Sequence, residues 1–253
     1  MEPGNEAFAA RSAALLGGEG MARLSASSVA VFGLGGVGGW CAEALARSGV
    51  GRLALIDFDR VAPSNLNRQI MAGLSTIGEY KAEALARRLA DVAPACSLDV
   101  RCQRFCADTA DSFNLAAYDF VVDAIDSVDC KALLILRTLA EENTALVSSM
   151  GAALRLDPQQ VRISKFRKVA GDGLARALRN RFRRSLGELP SRDFDCAWST
   201  EPPLQSLVPG EKGSIVTVTA AFGLAIAAHV IRSLVHGAGG KSGVLCAVGE
   251  DLV

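Results

Sequence analysis

Residues 28–38 read SVAVFGLGGVG, a valine-rich apolar run that passes directly into a glycine-rich turn. A short apolar run of this kind predicts a buried β-strand, and the glycines predict a tight turn after it. Residues 40–48 then carry alanine and leucine at helical spacing, and residues 52–56 form a second apolar run that stops at Asp57. Strand, glycine turn, helix and strand together predict a βαβ unit.

The alternation of strands and helices continues beyond this unit. Apolar patterns predict helices over residues 80–92 and 131–142, and strands over residues 96–102, 119–124 and 145–149. This order predicts an α/β protein with a Rossmann-like, mostly parallel sheet and helices on both faces. After residue 151, short runs at 152–156 and 160–163 flank an Asp-Pro turn and predict a hairpin or a C-terminal antiparallel extension of the sheet. Four prolines in residues 190–213 predict a loop.

The composition is that of an ordinary globular protein. Of 253 residues, 50% are hydrophobic and 21% are charged, and 27 cationic side chains balance 27 anionic ones, so net charge gives no global attraction to nucleic acid or membranes. The seven cysteines lack the spacing of a disulfide scaffold, and the first 24 residues lack the pattern of a signal peptide, so we expect reduced thiols and a cytoplasmic location. Residues 214–234 are apolar, but only 15 uncharged residues precede His229, so we expect a buried core helix and no membrane association.

The glycine turn and the acid after the second strand predict a nucleotide site. Gly33, Gly35, Gly36 and Gly38 let the backbone approach phosphates, and the helix that follows offers unpaired N–H groups. Asp57 stands at a strand end, where a carboxylate can accept hydrogen bonds from a ribose. These residues alone leave the identity of the nucleotide open.

Two further segments favour nucleotidyl transfer over nicotinamide chemistry. Arg68 lies in SNLNRQ (64–69) and Lys81 in GEYKAE (78–83), and two cations delivered to the glycine turn can neutralise a triphosphate and stabilise the charge of departing pyrophosphate. Asp126 follows a strand and can hold the magnesium ion that this chemistry usually requires. The sequence therefore predicts ATP and Mg²⁺ as cofactors.

The motifs GLGGVG, LIDFD, SNLNRQ, GEYKAE and DAIDS together resemble the adenylating domain of the ubiquitin-activating-enzyme-like (E1-like) family, whose members include ThiF and MoeB. The resemblance implies activation of a carboxylate as an acyl-adenylate, with Arg68, Lys81 and Asp126 as catalytic residues and Asp126 as the metal ligand. It also implies a homodimer in which Arg11 reaches the ATP of the partner. The implied ATP-binding set is Gly33, Gly35, Gly36, Gly38, Asp57, Asp59, Asn65, Arg68, Lys81, Asp126, Ser127 and Arg11.

Within that family, the chain resembles the tRNA threonylcarbamoyladenosine dehydratases. WCAEALARSGVG (40–51), DAIDSV (123–128) and DCAWSTE (195–201) carry the resemblance, although residues 150–152 are poorer in glycine than the subgroup's pattern and the loop before Gly213 is short. The resemblance implies ATP-dependent dehydration, by cyclisation, of N6-threonylcarbamoyladenosine at position 37 of tRNA. It implies one domain over 1–253, with an ATP-binding core in 1–150 and a substrate-binding and dimerisation extension in 151–253, and leaves open whether a sulfur-relay protein assists.

Charge distribution points to RNA independently of the resemblance. Residues 162–192 hold ten cations and two acids, a net charge of +8 in an otherwise acidic chain. Such a concentration of cations is typical of a surface that binds a phosphate backbone. A helix is predicted here, with Leu174, Leu178 and Phe182 buried and with Arg176, Arg179 and Arg183 facing outward. The cations predicted to bind tRNA are Lys165, Arg167, Lys168, Arg176, Arg179, Arg183 and Arg184.

Three other functions remain as alternatives. A sulfur-carrier activating enzyme usually has two Cys-x-x-Cys pairs for zinc and a catalytic cysteine, whereas only Cys196 and Cys246 follow residue 150 here. For Cys196 we expect a packing role, because neither histidine of the chain lies near it in sequence. A nucleotide-binding module without turnover is disfavoured by the joint presence of Arg68, Lys81 and Asp126. A nicotinamide oxidoreductase is disfavoured by the SNLNRQ segment.

Overall fold

A seven-stranded sheet forms the centre of the computed structural model, which describes residues 3–236, with side chains from residue 9 onward. The strand order is β3-β2-β1-β4-β5-β7-β6, and every neighbouring pair is parallel except β6 and β7. This confirms the predicted α/β fold with an antiparallel extension. The strands are β1 Ser28–Phe32, β2 Arg52–Ile56, β3 Ser97–Arg101, β4 Phe120–Asp123, β5 Ala145–Ser149, β6 Val161–Lys165 and β7 Asp195–Ser199.

Within residues 3–236, six α-helices cover the two faces of the sheet. They are α1 Pro3–Ala26, α2 Gly38–Arg47, α3 Lys81–Val92, α4 Val128–Ala140, α5 Gly173–Leu186 and α6 Val216–His236. Side chains alternate along β1, so that Val29 and Val31 pack with α1, α2, α3 and α6, while Ala30 and Phe32 pack with α4 and α5. The sheet is therefore buried on both faces, which is why its strands read as continuous apolar runs.

Helix α6 is a core helix, as the sequence predicted. By length and composition alone, α6 could cross a membrane. However, Phe222, Ile226 and Val230 are fully buried in the core. At Gly223 the backbone of α6 approaches α2 so closely that a Cβ atom would lie 2.5 Å from the Val37 carbonyl oxygen.

The predicted hairpin around the Asp-Pro turn is wrong. Residues 152–156 do not form a strand, because the N–H groups of Leu156 and Asp157 donate to the Glu201 carboxylate, each at 3.0 Å. The antiparallel partner of β6 is instead β7, which lies inside the stretch predicted to be a loop. Helix α4 also begins at Val128, three residues earlier than predicted. Cys246 lies outside the described residues.

Candidate nucleotide site

A cavity of about 410 Å³ opens at the carboxyl ends of β1, β2 and β4. It lies where β1 has β2 on one side and β4 on the other, the point at which open α/β sheets bind ligands. Ten of the twelve residues predicted to bind ATP line this cavity: Gly33, Gly35, Gly36, Asp57, Asp59, Asn65, Arg68, Lys81, Asp126 and Ser127.

The glycines of the turn serve two different purposes. Gly33 has a φ of +85°, and a Cβ atom there would lie 2.6 Å from the Ala124 carbonyl oxygen. Gly38 does not line the cavity, and its Cβ atom would lie 1.9 Å from the Gly33 carbonyl oxygen. These two glycines are therefore required to fold the turn against β4. At Gly35, by contrast, a Cβ atom would meet only the Gln69 amide at 3.9 Å, so this glycine leaves space for a ligand.

Asp57 connects the end of β2 to the glycine turn. Its carboxylate accepts the N–H of Leu34 at 2.6 Å and the N–H of Asp59 at 2.8 Å. Burial raises the pKa of Asp57, and the hydrogen bond from Asp59 and the charge of Lys81 partly offset that effect. A carboxylate oxygen has more than one acceptor site, so both oxygens can still accept hydrogen bonds from ribose hydroxyls.

Two of the residues predicted to bind ATP are cations in the cavity wall. Lys81 is the first residue of α3, and its Nζ lies 2.8 Å from Oδ2 of Asp59. The Lys81 side chain is only 8% exposed, so its ammonium group faces the cavity. Its partner Asp59 is 48% exposed and remains accessible to water. Arg68 donates to the Ser64 carbonyl and to Oδ1 of Asn67, both at 2.8 Å, which fixes its guanidinium at the rim.

Asp126 suits a magnesium ion bound together with a nucleotide. Its side chain is exposed in the loop after β4, and it makes no hydrogen bond or ion pair with any residue that the structure describes. Within residues 3–236 no three His, Cys, Asp or Glu side chains cluster as a metal cage. Magnesium is usually held by one or two carboxylates and by substrate phosphates, so a single carboxylate beside an ATP-sized cavity fits this ion.

A buried ion pair that sequence reasoning missed supports the loop of Asp126. The Nζ of Lys131 lies 2.8 Å from Oδ2 of Asp123 and donates to the Ile125 carbonyl at 2.9 Å. Ser148 donates to the same carboxylate at 2.7 Å, and the N–H of Ile125 donates at 3.1 Å. Both charged side chains are fully buried. Through these contacts the pair fixes the backbone at Ile125, the residue before Asp126.

Two further polar side chains of the cavity were not predicted. Gln69 belongs to the SNLNRQ motif, and its buried Oε1 has no hydrogen-bond partner among the described residues. An unpaired buried acceptor in a ligand cavity indicates a donor supplied by the ligand or by water. Arg104 follows β3, and its guanidinium lies 5.1 Å from the centre of the Phe58 ring. Its only sequence signal is its position shortly after a strand end.

Two other candidate residues lie away from the cavity. Arg11 is exposed on α1, before the kink at Gly17, and does not line the cavity of its own chain. Cys196 is fully buried on β7, and burial raises its pKa well above the ordinary value for a thiol. A nucleophilic thiolate is therefore disfavoured at Cys196, in line with the packing role expected from the sequence.

Comparison with known proteins assigns this chain to one family. Residues 9–244 match the ThiF family. The tRNA threonylcarbamoyladenosine dehydratase of Bacillus subtilis is 39% identical over 169 residues, covering 67% of this chain and 66% of that relative. The crystal structure of E. coli tRNA N6-threonylcarbamoyladenosine dehydratase, TcdA, in complex with AMP matches this chain with a TM-score of 0.87 at 33% identity. The structure of the same enzyme with ATP matches with a TM-score of 0.84 at 34% identity. Each match covers 92% of this chain and 96% of the E. coli chain. The chain belongs to the ThiF family.

Proposed function

We propose that this protein catalyses the ATP-dependent dehydration of N6-threonylcarbamoyladenosine in tRNA to its cyclic form. The observation that carries the proposal is one cavity in which the glycine turn, Asp57, Arg68, Lys81 and Asp126 meet. Its support is the similarity, along 96% of that chain, to an E. coli dehydratase whose structures contain ATP and AMP.

The proposed reaction begins with activation of an acid that is otherwise unreactive. The threonyl carboxylate attacks the α-phosphorus of ATP, and the bond to the β-phosphate oxygen breaks, which releases pyrophosphate. Arg68 and Lys81 stabilise the charge that develops on the departing group. Asp126 would hold magnesium, which supplies further neutralisation of the triphosphate when bound.

Ring closure then needs no protein nucleophile. The ureido nitrogen attacks the activated acyl carbon, AMP leaves with one former carboxylate oxygen, and the ureido group loses its proton. The net change in the nucleoside is the loss of one water. The chain's own contribution is to orient the two groups and to neutralise charge, which is consistent with the burial of Cys196.

The proposal extends to assembly and location. Arg11 lies outside the cavity of its own chain, so a homodimer would allow each copy to supply a further cation to its partner's ATP. Reduced thiols and a tRNA substrate both fit a cytoplasmic enzyme.

The test is mass analysis of tRNA nucleosides after incubation of threonylcarbamoylated tRNA with the purified protein and MgATP. We expect an ATP-dependent loss of one water. Arg68→Ala should lower the rate by about 100-fold or more, the usual effect of removing one transition-state donor. Arg87→Ala is the matched control, because Arg87 is exposed, pairs with Glu79 and does not line the cavity, and it should leave the rate unchanged.

Two outcomes would contradict the proposal at different points. No change in the tRNA nucleosides, together with pyrophosphate release only when a carrier protein with a diglycine tail is added, would assign the site to a sulfur-carrier activator. Normal turnover by Arg68→Ala would remove the catalytic role of that arginine and leave the substrate assignment intact.

A further inference from the structure

The seven cations predicted to bind tRNA fall into two groups in the structure. Three of them interact with other groups of the protein. Lys165 lies 3.1 Å from the Asp195 carboxylate, and Arg167 donates to the Pro190 carbonyl at 3.0 Å. Arg179, predicted to face outward, instead donates to the carbonyls of two residues in the preceding segment and lies over the Phe166 ring. The cationic groups of these three side chains therefore already have partners within the protein.

The other four cations are free to bind a ligand. Lys168, Arg176, Arg183 and Arg184 are exposed, and none has a side-chain hydrogen bond or an ion pair with any residue in 9–236. Three of them lie on α5 with Asn180 between them, at positions i, i+4, i+7 and i+8, so they form one stripe along the helix. The opposite face of α5, with Leu178 and Phe182, is buried in the core.

This stripe forms one wall of a surface groove between α4 and α5, which we call the α4–α5 groove. The groove has a volume of about 620 Å³ and is lined by Asn180, Arg183, Arg184 and Ala177 from α5, and by Val128 and Asp129 from α4. Its one acid, Asp129, is already paired with Arg181, whose Nε lies 2.5 Å from the carboxylate. The groove therefore offers an anion two unpaired arginines and an amide.

The α4–α5 groove adjoins the nucleotide cavity. Asp126 and Ser127 line the cavity, and Val128, the next residue, lines the groove. A polymer seated in the groove therefore lies beside the start of α4, next to the carboxylate that would hold magnesium. Residues 176 and 183 are about 10 Å apart along the helix axis, while a nucleic-acid strand carries one charge per ~3.4 Å, so the stripe can meet more than one phosphate.

We propose that the α4–α5 groove binds the sugar-phosphate backbone of the RNA substrate and delivers the target nucleotide to the cavity. Arg183 and Arg184 pair with phosphates, Asn180 hydrogen-bonds to a phosphate or a ribose, and Arg176 binds a further phosphate along the strand. This inference rests on the proposed function. It favours RNA over an anionic membrane, because the apolar face of α5 is buried in the core, where it cannot enter a bilayer.

The test compares two variants that each remove two charges from the same segment. Arg183→Gln/Arg184→Gln removes the free pair, and Lys165→Gln/Arg167→Gln removes two cations that already have partners. Affinity for unmodified tRNA is measured by filter binding over a range of salt concentrations, and KM for threonylcarbamoylated tRNA and for ATP by nucleoside analysis. A thermal unfolding midpoint equal to that of wild type checks that each variant is folded.

We expect the groove variant to bind tRNA at least about tenfold more weakly near 0.1 M salt. The slope of log affinity against log salt concentration should become shallower by about 0.9 for each phosphate that the variant no longer neutralises. KM for tRNA should rise in parallel and KM for ATP should stay unchanged, while the control variant should resemble wild type in all four measurements.

Wild-type affinity and salt dependence in the groove variant, or equal losses in both variants, would overturn the inference. So would binding to phosphatidylglycerol vesicles that is lost in the groove variant while tRNA binding is kept. Because tRNA binding is measured without turnover, this failure is distinct from failure of the proposed function, which would appear as wild-type protein that leaves the nucleosides unchanged.

Discussion

Replacement of Lys131 by methionine tests the buried ion pair beneath the nucleotide cavity. The change keeps the length of the side chain and removes its charge. Among the described residues, the carboxylate of Asp123 then keeps two donors, the Ser148 hydroxyl at 2.7 Å and the Ile125 N–H at 3.1 Å. The Ile125 carbonyl loses the donor that lies 2.9 Å away. A fully buried carboxylate without a cation is among the most costly arrangements in a protein interior.

The expected size of the effect follows from this geometry. Loss of one partner of a buried pair costs about 3–5 kcal/mol of the free energy of unfolding. The double variant Asp123→Asn/Lys131→Met buries no charge and keeps an acceptor for the Ile125 N–H, so it should cost only about 1–2 kcal/mol. The same lysine-to-methionine change at Lys165 is the control, because its pair with Asp195 is half-exposed, and it should cost less than about 1 kcal/mol.

Urea unfolding is monitored by tryptophan fluorescence and far-UV circular dichroism. It compares wild type with Lys131→Met, Asp123→Asn, the double variant and the control Lys165→Met. We expect the loss in the double variant to fall short of the sum of the two single losses by about 3 kcal/mol or more. Single losses that add within about 0.5 kcal/mol, or a Lys131→Met loss no larger than that of Lys165→Met, would refute the reasoning.

Two further predictions concern the glycine turn and the thiols. Gly38→Ala should weaken ATP binding at least about tenfold, because the new Cβ atom would lie 1.9 Å from the Gly33 carbonyl oxygen and force the turn to shift. Gly18→Ala is the control, because its Cβ atom meets nothing within 4 Å and should leave the affinity unchanged. The two affinities are measured by calorimetric titration with ATP, and equal values would contradict the geometry. Iodoacetamide at about pH 8 should alkylate Cys106 well before Cys196, because a hydrogen bond with a threonine hydroxyl lowers the pKa of Cys106 while burial raises the pKa of Cys196. Peptide mass analysis over time measures both alkylation rates, and comparable rates would contradict this prediction.

The parts of the fold that the sequence predicted well are those with a local cause. β1, β2 and β5 begin and end where their apolar runs do, because each of these strands is buried on both faces. β7 escaped prediction because DCAWS is short, starts with a charged residue and lies among prolines. Its pairing with β6, some 30 residues earlier, and with β5 depends on tertiary contacts that no local pattern reveals.

The same distinction separates the predicted from the missed site residues. Asp57, Lys81 and Asp126 stand next to strand or helix ends, so the topology alone brings them to one edge of the sheet. Lys131 lies inside a helix, and its role becomes visible only when the Asp123 side chain is known to point at it. Arg179 was misjudged for a similar reason, since the carbonyls that bind it belong to a turn whose path the sequence does not specify.

Helix α4 is the element that the two ligand surfaces share. Its first residues form one wall of the α4–α5 groove, and the loop that enters it carries Asp126 into the nucleotide cavity. Lys131, one turn into the same helix, is fixed to β4 and its following loop by the buried pair with Asp123. Any shift of α4 caused by RNA in the groove would therefore either break the buried ion pair or move β4 and its following loop together with α4. This favours a rigid start of α4, with RNA and nucleotide brought to fixed positions on either side of it.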